Sequence, residues 1–146
     1  MKKRFFIMFT VMAISSIVFA ADADKYIADL DSQDENTVIQ AADWLGANKE
    51  KSASKKLATL LTDPRDGVRI HAAQALGYIG DKDYLGSLHN ALLNDSHPTV
   101  RYAALLSIMK LKDDKSKSTL EKALENEKDP FILDLLTKLD AKDKGN

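Results

Sequence analysis

The residues best suited to acid–base or metal chemistry in this chain are three histidines, His71, His89 and His97. A metal site or a catalytic base needs further ligands or a partner carboxylate at a fixed short spacing. The three histidines lie on different predicted elements, and none has a second histidine or carboxylate at metal-ligand spacing on its own helix face. Cysteine is absent, and the glycines form neither a nucleophile elbow nor a phosphate-binding loop. The sequence therefore predicts no catalytic residue, no metal site and no cofactor, and hence a protein that is not an enzyme.

The elements that carry these histidines belong to a sequence that repeats itself. Residues 63–80 superimpose on residues 95–111 with a shift of 32. A third copy lies upstream, because Ala41 and Ala42 fall on a similar Ala-Ala pair 31 residues later. A shortened fourth copy begins at Asp129. A fixed period of this length predicts a stack of similar structural units.

Each copy is followed by a second apolar pattern, so the repeating unit is a pair of helices. Spacings of three and four residues place each apolar set on one helix face, and strand-like alternation is nowhere sustained. Gly80 is suited to end one helix, and prolines 64, 98 and 130 are predicted at helix starts. The apolar sets of the second helices are Leu57, Leu60 and Leu61, then Leu85, Leu88 and Leu92, then Leu120, Ala123 and Leu124.

The second copy reads D-P-R-D-G-V-R-I-H-A-A-Q-A-L-G-Y-I-G. It resembles the HEAT-like repeat family, specifically the short repeats of phycobilisome lyases, whose consensus is D-P-x-x-x-V-R-x-x-A-A-x-A-L-G-x-I-G. The resemblance implies an all-α fold, a right-handed α-α superhelix or solenoid of antiparallel helix pairs. We expect a capping helix in residues 21–33 and a repeat domain in residues 34–141. Its copies are expected at residues 34–62, 63–94, 95–127 and, in part, 129–141, with a flexible tail over residues 142–146.

The same resemblance implies a structural ladder between adjacent copies. In the family, an aspartate before the first helix and an arginine within that helix link neighbouring turns of the superhelix. The first and fourth copies carry Val38 and Leu133 where the arginine would be, so the ladder is expected to end there. Its predicted members, read as structural rather than anion-binding, are Asp63, Arg69, Asp95 and Arg101.

Binding on such a scaffold commonly uses the concave side, which the second helices line. The residues that project away from the apolar stripes there are polar and of mixed charge, and they lack the Trp, Tyr and Arg side chains that usually carry interface energy. Two interpretations stay open, a binding face and a solvated face without a partner. The candidate concave face consists of Lys55, Thr59, Asp83, Ser87, Asn90, Ser118, Lys122 and Glu125.

The first twenty residues read as a signal peptide. Three basic residues at positions 2–4 precede an uncharged stretch over residues 5–19, and small residues follow. Cleavage is expected after Ala20, or alternatively after Ala23. The stretch is about 15 residues long and shorter than the roughly 20 needed to cross a bilayer, so no stable membrane anchoring is expected after cleavage. The sequence thus predicts an exported protein, periplasmic or secreted.

Removing residues 1–20 takes three of the 21 basic residues, which leaves 18 against 22 acidic residues and a net charge of −4. Lysines alternate with acidic residues instead of clustering, which argues against nucleic acid as a partner. The leading functional hypothesis is a non-enzymatic protein-binding or scaffold module of the bacterial cell envelope, whose partner is another protein. The alternative, implied by the resemblance, is an accessory subunit of an enzyme system related to bilin lyases.

Overall fold

The computed structural model describes residues 22–145, and within this range the chain forms helices and short 3-10 turns but no β-strand. The predicted signal peptide lies outside the described residues. No helix within residues 22–145 is long and apolar enough to span a bilayer. The helices are α1 (22–29), α2 (Glu35–Ala47), α3 (Ser54–Leu60), α4 (Asp66–Ile79), α5 (Leu85–Asn94), α6 (Pro98–Leu111), α7 (Lys117–Asn126) and α8 (Pro130–Lys144).

The helices form two layers, which confirms the predicted all-α solenoid. The first helices of the copies, α2, α4 and α6, pack side by side, and the second helices α3 and α5 pack against the first helix of the following copy. A 3-10 turn precedes each second helix, at Lys51–Ala53, Lys82–Tyr84 and Asp114–Ser116. Helix α1 closes one end of the stack, where Tyr26 stacks on Trp44 with ring centroids 4.3 Å apart.

Small residues allow the first helices to approach each other closely. Gly46 of α2 faces Ala75 of α4, and Gly77 of α4 faces Ser107 of α6. A Cβ atom on Gly77 would lie 2.7 Å from the Cβ and 2.9 Å from the Cα of Ser107, distances that the two helices cannot accommodate without moving apart. The Ser107 hydroxyl donates a hydrogen bond of 2.8 Å to the carbonyl of Ala73 across the same contact.

Helix α8 does not continue this close packing. The repeat position of Gly46 and Gly77 is held in α6 by Met109, and the position of Ser107 is held in α8 by Leu139. Two large side chains thus replace a glycine and a serine, and α8 contacts α6 far less extensively than α6 contacts α4. The fourth copy is therefore attached more loosely than the other three.

Two boundaries differ from those expected from the sequence. Helix α4 begins at Asp66, so Pro64 precedes the helix instead of standing at its first turn, while Pro98 and Pro130 do begin α6 and α8. Helix α8 continues through residue 141 to Lys144, and two ion pairs at i,i+4 spacing lie along it, Asp134 with Lys138 and Asp140 with Lys144. The described part of the expected tail is thus mostly helical.

One repeat position at or just after the ends of the first helices is held by Lys49, Gly80 and Lys112. All three residues adopt a positive φ, of 54°, 80° and 46°. Glycine reaches this left-handed conformation without the Cβ penalty that the lysines carry. Gly80 is thus the helix end that its residue type predicted, and the two lysines show that the repeat geometry imposes the same turn on other residues.

The close helix contact at Gly77 leads to a first prediction. Gly77→Ala should lower the free energy of unfolding by about 1–3 kcal/mol, because overpacking against Ser107 outweighs the higher helix propensity of alanine. Urea denaturation followed by circular dichroism measures this change.

The matched control is Gly86→Ala in α5, where an added Cβ has no atom within 4 Å. That substitution should raise stability by about 0.5–1 kcal/mol. Equal effects of the two alanines would contradict the close-packing argument.

Candidate functional site

The strongest links between copies are ion pairs of two arginines. Arg69 of α4 donates to both carboxylate oxygens of Asp95, with N–O distances of 2.8 and 3.1 Å. It also donates to the main-chain carbonyl of Asp63 at 2.9 Å. The two side chains are only 12% and 8% exposed, so this bidentate pair is shielded from solvent and fixes the distance between the second and third copies.

Arg101 of α6 repeats the arrangement with Glu127, a residue that sequence reasoning missed. Its guanidinium donates to both oxygens of Glu127 at 2.9 and 2.7 Å, and to the main-chain carbonyl of Asp95 at 3.0 Å. Hydrogen bonds from Arg101 are the main cause that lowers the pKa of Glu127 from 4.5 to about 2. The signal in the sequence was position, since Glu127 follows Asp95 by the same 32 residues that separate Asp63 and Asp95.

Asp63 receives no arginine from the first copy, as the valine at position 38 predicted. Arg65 supplies the guanidinium instead, donating to the two oxygens of Asp63 at 2.8 Å each and to the carbonyl of Gln33 at 3.1 Å. The predicted ladder of four residues is therefore distributed over three carboxylates: Arg65 holds Asp63, Arg69 holds Asp95, and Arg101 holds Glu127.

The three carboxylates also share a second role. Each accepts a hydrogen bond from the backbone N–H two residues later, at Arg65 (2.9 Å), His97 (2.9 Å) and Asp129 (2.8 Å). This contact fixes the turn from which each following first helix starts. The pairs of Arg69 with Asp95 and Arg101 with Glu127 therefore position α6 and α8 at the same time as they join the copies, while the pair of Arg65 with Asp63 positions α4 within one copy.

A second series of ion pairs joins the 3-10 turns. Lys51 contacts Asp81 of the following copy at 3.5 Å, and Lys82 contacts Asp113 of the copy after that at 3.2 Å. The next residue at the lysine position is Asp114, which is exposed. The charge at this repeat position therefore changes from positive, at Lys51 and Lys82, to negative, at Asp114, in the third copy.

The residues of the predicted concave face lie on the second helices and the turns before them. All are exposed apart from the half-buried Ser87. The hydroxyl of Thr59 donates to the carbonyl of Lys56 in its own helix, and the side chain of Asn90 accepts from Asn94. Within the described part of the chain these residues form a polar surface without ion pairs among themselves, and its role as a binding face stays a prediction.

The histidines lie apart, and each has its own partner. His71 pairs with Asp43 at 2.6 Å, His97 with Asp66 at 3.2 Å, and His89 shares a hydrogen bond of 3.0 Å with the hydroxyl of Ser116. Burial lowers the pKa of His89, against the opposing charge of Asp113. No group of three or more potential metal ligands occurs within residues 22–145.

A groove of about 540 Å³ lies between α7 and α8. Its floor is apolar and its rim is mainly acidic, with five carboxylates and two lysines. The sequence placed Leu120 and Leu124 in the apolar set of a second helix, like their repeat equivalents Leu88 and Leu92, which are buried, and so gave no sign of the groove. Leu120 and Leu124 themselves are only half-buried. The floor consists of Leu120, Leu124, Leu136 and Leu139, and the rim includes Asp113, Asp114, Glu121, Asp140, Asp143, Lys117 and Lys142.

Comparison with known proteins gives one family and two kinds of relative. A family model described as HEAT repeats matches residues 23–88 and 54–137, which confirms the resemblance read from the second copy. The chain is 33% identical over 119 residues to deoxyhypusine hydroxylase of Saccharomyces cerevisiae, covering 76% of this chain and 37% of the relative. It is 36% identical over 92 residues to deoxyhypusine hydroxylase of Candida glabrata, covering 59% and 29%.

A similar solved structure is the complex of CpcE and CpcF of phycocyanin lyase from Nostoc sp. PCC7120. The matched chain has a TM-score of 0.66 and 34% sequence identity, over 71% of this chain and 42% of that chain. The neighbour is an assembly of two proteins, which agrees with the prediction that the partner of this chain is a protein.

These findings correct the functional predictions. Both curated relatives are named as hydroxylases, which are enzymes, so the prediction of a non-enzymatic scaffold module is wrong. The predicted role in a bacterial cell envelope is corrected as well, because neither hydroxylase is named as an envelope protein. The two deoxyhypusine hydroxylases also correct the predicted export, which included a signal peptide and a periplasmic or secreted location.

The pair of Arg101 and Glu127 leads to a second prediction. Because folding lowers the pKa of Glu127 from 4.5 to about 2, the carboxylate stabilises the fold above pH 4.5, and this contribution is lost as the pH falls towards 2. Glu127→Gln should cost about 2–3 kcal/mol of unfolding free energy near neutral pH. The difference from the parent protein should shrink steadily below pH 4.5. Urea denaturation over a series of pH values measures it.

The control for this prediction is Glu125→Gln on α7, which removes an exposed carboxylate. It should change stability by less than about 0.5 kcal/mol at every pH. A cost of Glu127→Gln that did not depend on pH would show that the loss comes from packing and not from the ion pair.

Proposed function

Since this chain belongs to the HEAT-repeat family, we propose that it takes part in the enzymatic modification of a protein, and that its second helices hold the protein substrate. The observation that carries the proposal is the similarity to enzymes of two kinds, hydroxylases that act on deoxyhypusine and a lyase of phycocyanin, which is a protein. The reactions differ while the repeats are shared. The repeats are therefore expected to contribute binding to both kinds of enzyme, and not the chemical step.

The chain covers less than half the length of each of these relatives. The chain spans 37% and 29% of the two hydroxylases and 42% of the matched lyase chain. Hydroxylation generally requires a metal or an organic redox cofactor. The residues from 22 to 145 provide no cluster of three or more metal-ligating side chains, so they do not fit a metal centre. We derive no hydroxylation step from them and assign them the holding of the substrate.

The structure supplies a fixed surface for such a role. Ion pairs between copies, Arg69 with Asp95 and Arg101 with Glu127, set the spacing of the helices. Exposed side chains on α3, α5 and α7 therefore project at regular intervals, with Lys55 and Lys122 near opposite ends of the row. A surface on rigid elements binds without the entropy cost of ordering a loop.

The proposal predicts selective binding of a modified protein. We expect the full chain to bind a protein that carries deoxyhypusine more tightly than the same protein with an unmodified lysine, as measured by isothermal titration calorimetry. Lys55→Glu and Lys122→Glu should each weaken that binding by about threefold to tenfold, the range for a lost surface charge contact.

The control variant is Lys128→Glu, which makes the same charge change in the exposed connection between α7 and α8 and should leave affinity unchanged. Mass spectrometry of the substrate protein after incubation reports any gain of an oxygen atom. Equal binding of the two protein forms would refute the proposed function, whether or not the mass changes.

A further inference from the structure

The groove between α7 and α8 occupies the position that the repeat provides for another second helix. Leu88 and Leu92 of α5 are buried because α6 and α7 pack over them. Leu120 and Leu124 hold the same positions in α7 and are only half-buried. No second helix follows α8 within residues 22–145. The shape that would cover these side chains, on the pattern of the earlier copies, is an α-helix.

The charge around the groove limits which helix fits. Lys51 and Lys82 each contact a carboxylate of the following copy. Asp114 stands at the next position of that series and forms no ion pair within the described residues. A further repeat of the same kind would bring an aspartate against Asp114 and be repelled. A helix with Lys or Arg at this point would be attracted, so the change of sign selects against self-stacking and for a basic partner.

Among the other rim carboxylates, Asp113 pairs with Lys82 and Asp140 pairs with Lys144. Glu121 adds an exposed carboxylate without an ion pair in the described residues, along α7 beside the groove floor. Lys117 crosses to Asp143 of α8 at 2.7 Å, but these two side chains are 65% and 62% exposed. An ion pair this exposed contributes little to stability, so an entering helix can displace it at small cost.

We propose that this groove binds an amphipathic helix of a second protein, in the place of the next second helix. Leucine-sized side chains of that helix contact Leu120, Leu124 and Leu139, and a Lys or Arg side chain lies against Asp114. Helix-in-groove recognition of this kind uses apolar anchors at helical spacing for affinity and flanking charges for specificity. The proposal goes beyond the proposed function, because it assigns a partner site that does not depend on any enzymatic activity.

Two synthetic helical peptides test the proposal against the full chain. Both carry leucines at the spacing of Leu85, Leu88 and Leu92; one has lysines on its flanks and the other has glutamates. Fluorescence anisotropy should show the basic peptide binding at least about tenfold more tightly than the acidic peptide. Added salt should reduce the difference, because the rim charges are exposed and screened.

Charge reversals locate the binding. Asp114→Lys and Glu121→Lys lie on exposed positions and should each weaken the basic peptide by about threefold to tenfold, and together by more. Asp24→Lys on α1 makes the same charge change at the other end of the stack and should have no effect. Circular dichroism confirms that each variant is folded.

Three outcomes would overturn the proposal. The first is that neither peptide binds, and the second is that the reversals at residues 114 and 121 leave the basic peptide's affinity unchanged. The third is self-association of the chain in sedimentation experiments that the same reversals abolish, because the groove would then receive a second copy. Since the peptides carry no deoxyhypusine, failure here leaves the calorimetric test of the proposed function independent.

Discussion

The close approach of the first helices is the constraint on which the rest of this structure depends. Gly46 against Ala75 and Gly77 against Ser107 bring α2, α4 and α6 so near that a single added Cβ would collide with the neighbouring helix. At this helix separation the leucines of the second helices pack into one continuous core. The arginine pairs act at the same distance, because each must reach a carboxylate of the next copy.

The departure from this constraint at α8 shapes the surface of the molecule. Met109 and Leu139 hold the positions of the small residues, and α8 contacts α6 only sparsely. Arg101 nevertheless binds Glu127, so the turn before α8 is fixed while the helix itself stays apart from its neighbour. The groove between α7 and α8 follows from this combination of a tight link and a loose packing contact.

Much of the fold could be predicted because its causes are local. The period of 31 or 32 residues, the paired alanines and the apolar sets at helical spacing identified the helix pairs and their order. The functional predictions of a bacterial scaffold rested on the absence of catalytic residue types, and the similarity to two hydroxylases corrected them. The absence of catalytic residue types was a weak argument against an enzymatic role. The chain covers only part of those enzymes, and such a part can contribute to an enzyme without carrying its reactive groups.

The sequence by itself determined the helix pairs, their stacking order and the positions of Arg69 and Arg101, because repeat spacing and helix periodicity act over short stretches of chain. Tertiary structure alone decided which carboxylate each arginine meets. Arg65 binds Asp63, and Arg101 binds Glu127, a residue outside the predicted ladder, since distances between copies are set by packing. It also decided that Leu120 and Leu124 line a groove, because burial depends on whether a neighbouring helix covers a side chain and not on the residue's type.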